Sequence, residues 1–210
     1  MCHNKETSLF TFLFGCIGCI LLFYFYSSSN SIRVIAFLWG YVLLMQWFEW
    51  LIWMNQSASE SIQLSLTKGT MLSNLLQPVM VVILCILYLS NPSYNWFILG
   101  LLIIYISYMF VNLYYINPIF KIGITDTCHH LQYEWWKYTN WEVIFYLLPI
   151  ITSIMLYIKP ISLAIFESSY ILITLFISIW IYKCGVPSIW CWMAAFAPFI
   201  TFLYISIIKK

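Results

Sequence analysis

Seven stretches of this chain stay apolar for about the 20 residues that a helix needs to cross the hydrocarbon layer of a bilayer, and no other feature constrains the fold as strongly. They cover residues 8–26, 32–54, 66–89, 96–115, 141–158, 161–182 and 189–208. The separators "SSSNS", "NQSASES", "SNPSYN", the long stretch 116–140, "KP" and "CGVPS" carry the polar residues, Gly and Pro that interrupt helices. At "KP", Lys159 and Pro160 mark either a tight hairpin or a kink. A single helix of about 40 residues would be too long to cross once, so two spans are expected there. With 63% hydrophobic and 8% charged residues, against roughly 25% charged in an average soluble domain, the chain cannot cover itself with a polar surface. The expected fold is all-α: one integral membrane domain over 1–210, multi-pass, built as a seven-transmembrane-helix bundle in contact with the lipid bilayer.

The first apolar run ends in "FYFYSSSNS", without the small-x-small pattern of signal cleavage and with interfacial tyrosines, so it is read as a retained span. Aromatics make up 20% of the chain, and many, such as Trp96, Trp135, Trp141 and Trp190, fall near span ends where headgroups favour them. An odd number of spans puts the termini on opposite faces. The face of the N-terminus then holds Lys5, Lys68, Lys121, Lys137 and Lys183, and the other holds Arg33, Lys159, Lys209 and Lys210. Five against four assigns no orientation. The net charge of +2 is scattered, which leaves no nucleic-acid footprint. The cysteines of "CIGC", Cys16 and Cys19, fall inside a span with Cys85 in another, where a thiol acts as a small hydrophobe. Cys2, Cys128 and Cys184 fall on the N-terminal face with Cys191 just inside it, where an oxidising compartment would allow a disulfide.

A carboxylate at the bilayer centre costs roughly 2.5–3.5 kcal/mol, so intramembrane polar residues are the functional candidates. Glu49 sits within "QWFEWLIWM", where Gln46, Glu49, Trp50 and Trp53 share one helical face. Thr70, Asn74 and Gln77 share a face of the next span, followed by Pro78. Counted at about 1.5 Å per residue from span ends near Met54 and Leu66, Glu49 and Gln46 lie about 7 and 12 Å deep, and Thr70, Asn74 and Gln77 about 6, 12 and 16 Å. The two ladders are expected to face one another, the amides serving the carboxylate, and Pro78 to free the Asn74 carbonyl for water, a cation or a ligand. Interhelical glue worth about 0.6–2 kcal/mol is the alternative reading of the amides. Glu167, in "AIFESSY", lies about two turns into its span from the opposite face, as a candidate second acid on an ion route or an unrelated satisfied carboxylate.

Stretch 116–140 reads as a short interfacial helix, on which Asp126, His130 and Glu134 would align at i, i+4, i+8 as a weak metal-ligand set, with surface residues as the plainer reading. No cofactor is expected. The layout is similar to microbial rhodopsins, but their retinal needs a lysine in the last span, and "SIWCWMAAFAPFITFLYISII" has none. It is also similar to the alkaline ceramidase and adiponectin-receptor hydrolases, whose inward histidines and aspartate have no match in these spans. The stretches "QWFEWLIW", "NLLQP", "CHHLQYEWW" and "SIWCW" resemble uncharacterised multi-span membrane proteins of large DNA viruses and protists. That resemblance implies the seven-helix layout and a viral or protist source, and no activity. The expected function is a small channel or transporter for protons or cations, with Glu49, Gln46, Thr70, Asn74, Gln77 and Trp53 as a polar vestibule, Glu167 in the exit half, and a homo-oligomer sharing the pore as one arrangement. The alternatives are a binding or receptor-like protein for a lipid or small ligand and, last because no nucleophile–base pair is legible, an intramembrane enzyme with acid–base chemistry.

Overall fold

The computed structural model describes residues 4–89, 91–115, 122–125, 128–133, 140–181 and 186–208, with no description of the side chains of 112–115, 122–130, 132 and 140. Its helices are α1 (Lys5–Tyr26), α2 (Asn30–Val42), α3 (Leu44–Met54), α4 (Glu60–Leu75), α5 (Gln77–Leu89) and α6 (Pro92–Tyr115). A hairpin of β1 (Ile122–Thr125) and β2 (Cys128–Tyr133) follows, then α7 (Asn140–Tyr157), α8 (Ile161–Ile181), α9 (Val186–Ala194) and α10 (Ala197–Ile208).

Five helical units are long and apolar enough to cross a membrane: Lys5–Tyr26, Asn30–Met54, Pro92–Val111, Ile161–Ile181 and Val186–Ile208. A sixth is the pair α4 and α5, bent by 46°. The stretch expected as a full span at 141–158 is the shorter apolar helix Trp141–Tyr157. At 1.5 Å per residue its 17 residues reach about 26 Å, less than the roughly 30 Å of a typical hydrocarbon core. The chain does turn at Lys159 and Pro160, since α7 ends at Tyr157 and α8 starts at Ile161.

The bundle is apolar outside as well as inside. Phe10, Leu13, Ile17 and Ile20 stand exposed along α1, and Ile165, Leu172, Ile173 and Phe176 along α8. Its polar side chains point inward: Ser8, Thr11, Gln46, Glu49, Thr70, Asn74, Gln77, Glu167, Thr174, Ser178 and Thr201 are all buried. The buried stripe of α1 is Ser8, Thr11, Gly15, Gly18 and Leu22, spaced 3, 4, 3, 4. Small residues at that period let two helix backbones close up, and α1 uses it against α10, α3 and α2. A Cβ on Gly18 would lie 2.7 Å from the backbone nitrogen of Phe199, and one on Gly15 would lie 2.8 Å from the carbonyl oxygen of Ala195. The "CIGC" stretch is thus a packing seam, and Cys16, Cys19, Cys85 and Cys191 are free thiols.

A bend and a helix break are held from within the protein. At Pro78 the ring cannot donate to the preceding turn; the Leu76 N–H donates to the Leu72 carbonyl at 3.0 Å, and the Tyr105 hydroxyl donates to the Leu75 carbonyl at 2.6 Å. The proline thus follows a 46° bend between α4 and α5 at which Tyr105 serves the Leu75 carbonyl. At the α9–α10 break, before Pro198, the Tyr170 hydroxyl donates to the Met193 carbonyl at 2.8 Å.

The stretch 116–140 departs from expectation. Residues 122–125 and 128–133 form an antiparallel pair in the register Ile122↔Tyr133, Gly123↔Gln132 and Thr125↔Cys128, with an irregularity between Gly123 and Thr125. Ile, Thr and Tyr favour extended backbone, and here that preference overrides the helical spacing read from the acids and His130. Residue 130 stands on β2 rather than on a helix, and a spacing of four covers roughly 13 Å along a strand, against about 6 Å along a helix, so that spacing no longer brings side chains together. Asp126 and Glu134 lie outside the described residues, as does the side chain of His130.

Candidate functional site

Two buried polar tiers meet where α3, α4, α5, α7, α9 and the hairpin converge. The first is built on the carboxylate. Helical spacing puts Gln46 and Glu49 on one buried face of α3, both 0% exposed. The Gln46 Nε2 donates to Glu49 Oε2 at 3.0 Å, while the Thr11 hydroxyl of α1 donates to Gln46 Oε1 at 2.9 Å. From β2, the Tyr133 hydroxyl donates to Glu49 Oε1 at 3.2 Å. Leu131, on the same face of β2, is fully buried, so the end of β2 away from the turn packs into the bundle at the acid. Hydrogen bonds to both oxygens are what make a carboxylate tolerable in such a place.

The second tier is built on amides. Asn74 near the end of α4 donates from Nδ2 to the Cys191 sulfur at 3.9 Å. Gln77, at the start of α5, accepts a short hydrogen bond from the Tyr146 hydroxyl of α7. Tyr146 in turn packs edge-on against Trp190, whose indole N–H donates to the Thr174 hydroxyl at 3.2 Å. The Asn74 Oδ1, Gln77 Nε2, Trp53 Nε1 and Trp192 Nε1 are buried without a hydrogen-bond partner. Each leaves a desolvated group whose full cost, about 1–3 kcal/mol, a water or ligand at that spot would remove.

Cys191 stands beside the amide tier, its thiol in contact with Asn74, and its charge would interact with that of Glu49. The sequence reading placed Cys191 just inside the membrane face as a disulfide candidate; it is instead a buried free thiol at the centre of the cluster. Its signal was the position one turn into the last apolar run, between Trp190 and Trp192, where a small residue leaves room for neighbouring side chains.

Of the residues expected to form the vestibule, Gln46, Glu49, Asn74, Gln77 and Trp53 belong to this region. Thr70 is buried but turns its hydroxyl to the Leu66 carbonyl at 2.9 Å. The two ladders are also offset rather than level. The Phe48 ring lies against Gly69, and α4 starts at Glu60 rather than near Leu66. Asn74 is therefore about a turn and a half deeper than the residue opposite Glu49. That is why the amides meet Cys191 and Tyr146, while Gln46 and Tyr133 serve the acid.

Glu167 stands apart. It is buried on α8, with Trp39 Nε1 donating to Oε2 at 2.9 Å and the Thr201 hydroxyl donating to Oε1 at 2.6 Å. Its partners lie on α2 and α10, so it ties three helices together. Thr11 and Tyr133, which complete the first tier, were missed by the sequence reading. Thr11 carried a helical-stripe signal with Gly15 and Gly18; Tyr133 carried none, because a hairpin contact is not local.

Among the described residues, no three His, Cys, Asp or Glu side chains stand together as a metal-ligand set. No protein-family model, no curated protein and no solved structure matches the chain. The resemblance to viral and protist membrane proteins rests on the quoted stretches alone.

Proposed function

We propose that this chain is an integral, multi-pass membrane protein whose seven apolar helical units form a small proton- or cation-conducting channel or transporter, with Glu49 at its polar centre. The observation that carries the reading is the arrangement at Glu49. A fully buried carboxylate is held by Gln46 and Tyr133, and the neighbouring amides Asn74 and Gln77 carry buried atoms without partners. An acid kept at that cost inside an apolar bundle is suited to a proton or cation that moves through it. Tyr133 and Leu131 give the path a cover, since the hairpin packs over the acid and against α9. The bend at Pro78 and the helix break before Pro198 fit the same reading, because broken helices place polar groups at membrane depth only where protein or a cavity surrounds them.

In this scheme Gln46 and Thr11 position the carboxylate, Asn74 and Gln77 offer the neutral polar wall, and Glu167 is a strut between helices. The test is flux of protons and monovalent cations in liposomes containing the purified protein, across pH, against Glu49→Gln and empty vesicles. Flux should be lost, or lose its pH dependence, in Glu49→Gln. Transport unchanged by that substitution would take Glu49 out of the mechanism.

The second reading, a lipid-binding or receptor-like protein, is favoured by one other feature. A groove of about 600 Å³ between α1, α2 and α5 is lined by Cys19, Phe23, Phe37, Gly40, Met80 and Leu84. Apolar walls of that size suit an acyl chain. Lipid that stays bound after purification, with no flux in any condition, would favour this reading over conduction.

A further inference from the structure

The end of the bundle remote from Glu49 carries a polar bowl of about 430 Å³. Its polar walls come from three places: Ser29, Asn30 and Ser31 before and at the start of α2, Asn91 before α6, and Tyr157 and Lys159 at and after the end of α7, with Leu89, Pro92 and Leu156 completing the lining. Asn30 and Glu49 are 19 residues apart on the Asn30–Met54 unit, about 28 Å at helical rise, so this is a different place from the conducting centre.

We propose that this bowl binds a phosphate group, with Lys159 as its cation. The walls are fixed by bonds between the turns. The Lys159 backbone N–H donates to the Ser31 hydroxyl at 2.9 Å, and Asn30 Nδ2 donates to the Tyr88 carbonyl at 3.1 Å. Those bonds hold the bowl open without occupying its charge. Lys159 is exposed and has no acidic partner among the described residues. A second cation reaches one of the lining residues, since Arg33 Nη1 donates to Asn30 Oδ1 at 3.3 Å. The Ser29 side chain makes no capping bond at the start of α2, which leaves its hydroxyl and the first-turn N–H groups for an external acceptor.

Charge around the bowl has one sign. No acidic residue occurs in the turns 27–29, 90–91 or 158–160. The nearest along the lining elements is Glu167, six residues into α8, buried with both oxygens taken by Trp39 and Thr201. A cavity with a lysine, neutral hydroxyl and amide groups and no competing carboxylate favours an anion of phosphate size over a cation. Two sources supply that chemistry: the headgroup of an anionic phospholipid at the membrane surface, and free inorganic phosphate.

The test uses the full-length protein in detergent, with dioleoyl phosphatidylglycerol, dioleoyl phosphatidylcholine and inorganic phosphate as separate probes. Binding is read by native mass spectrometry and by the shift in melting temperature. Loss of one lysine contact near an anionic headgroup is worth about fivefold in affinity, so Lys159→Gln should weaken phosphatidylglycerol binding by about that factor. Lys159→Arg should restore it, and Lys68→Gln, at the far end, should leave it unchanged. Retention of phosphatidylglycerol that inorganic phosphate does not displace assigns the site to a lipid headgroup. Saturable binding of inorganic phosphate lost in Lys159→Gln assigns it to the free ion. Equal affinity of wild type and Lys159→Gln for both anions, or equal loss in Lys159→Gln and Lys159→Arg, overturns the proposal.

Discussion

Gly18→Ala probes the seam between α1 and α10. The added methyl would lie 2.7 Å from the Phe199 backbone nitrogen and 3.0 Å from the Pro198 Cβ. Reaching ordinary contact at 3.4 Å requires about 0.7 Å of separation between the two helices. Neither neighbour can rotate away, since one is backbone and the other a proline ring. Overpacking of this kind costs about 1–3 kcal/mol, offset by roughly 0.5–1 kcal/mol from replacing a helical glycine. The net loss is about 0–2.5 kcal/mol, with a mid-range value near 1 kcal/mol that lowers the melting temperature by about 2–4 °C for a chain of this length. Gly100→Ala is the control, because a Cβ there meets nothing within 4 Å; it should leave stability unchanged or raise it. Thermal unfolding of the two purified variants in detergent, followed by size-exclusion chromatography, measures the difference. A Gly18→Ala protein that melts at or above Gly100→Ala would refute the close backbone contact. The same stripe carries Thr11, two turns before Gly18, and Thr11 donates to Gln46. Opening the seam should therefore also loosen the positioning of Glu49.

Tyr105→Phe removes the donor to the Leu75 carbonyl at the Pro78 bend and should cost about 1–3 kcal/mol, measured by the same melting assay, because it leaves a buried acceptor unpaired. Tyr133→Phe deletes the hairpin's bond to Glu49 while keeping the ring in place, so proton or cation flux in liposomes should rise as the cover loosens; unchanged flux would argue that the hairpin does not gate the site. Glu167→Gln should lower the melting temperature and leave the pH dependence of flux as in wild type, since Trp39 and Thr201 use this carboxylate as a strut; a loss of flux like that of Glu49→Gln would return Glu167 to the path.

The helical layout was legible because its signal is local and repeated. Each apolar run announces itself within about 20 residues, and the polar turns between them are punctuated by Ser, Asn, Gly and Pro. The same holds for the shared face of Gln46 and Glu49, which follows from helical period alone. What fails is whatever depends on where a helix begins or on contacts between distant segments. Taking Leu66 instead of Glu60 as a start moved the whole Thr70–Gln77 ladder relative to Glu49, so residues with the right faces were matched at the wrong depth. In 116–140 a chance helical spacing of Asp126, His130 and Glu134 outweighed the β-branched residues around them, and the hairpin was not anticipated.

By itself, then, the sequence determined that this chain forms apolar helices of crossing length and that Glu49 and Glu167 are the residues within them that cost most to bury. Burial periodicity is a property of single segments, and a single segment suffices to read it. Only the tertiary structure decided that Cys191 meets Asn74, that Thr11 and Tyr133 complete the first tier, and that Glu167 ties α2, α8 and α10. Those contacts join residues from 34 to 128 positions apart, and their geometry is set by helix bends, close glycine packing and the depth of each helix in the bundle. None of these is encoded in any one stretch of chain.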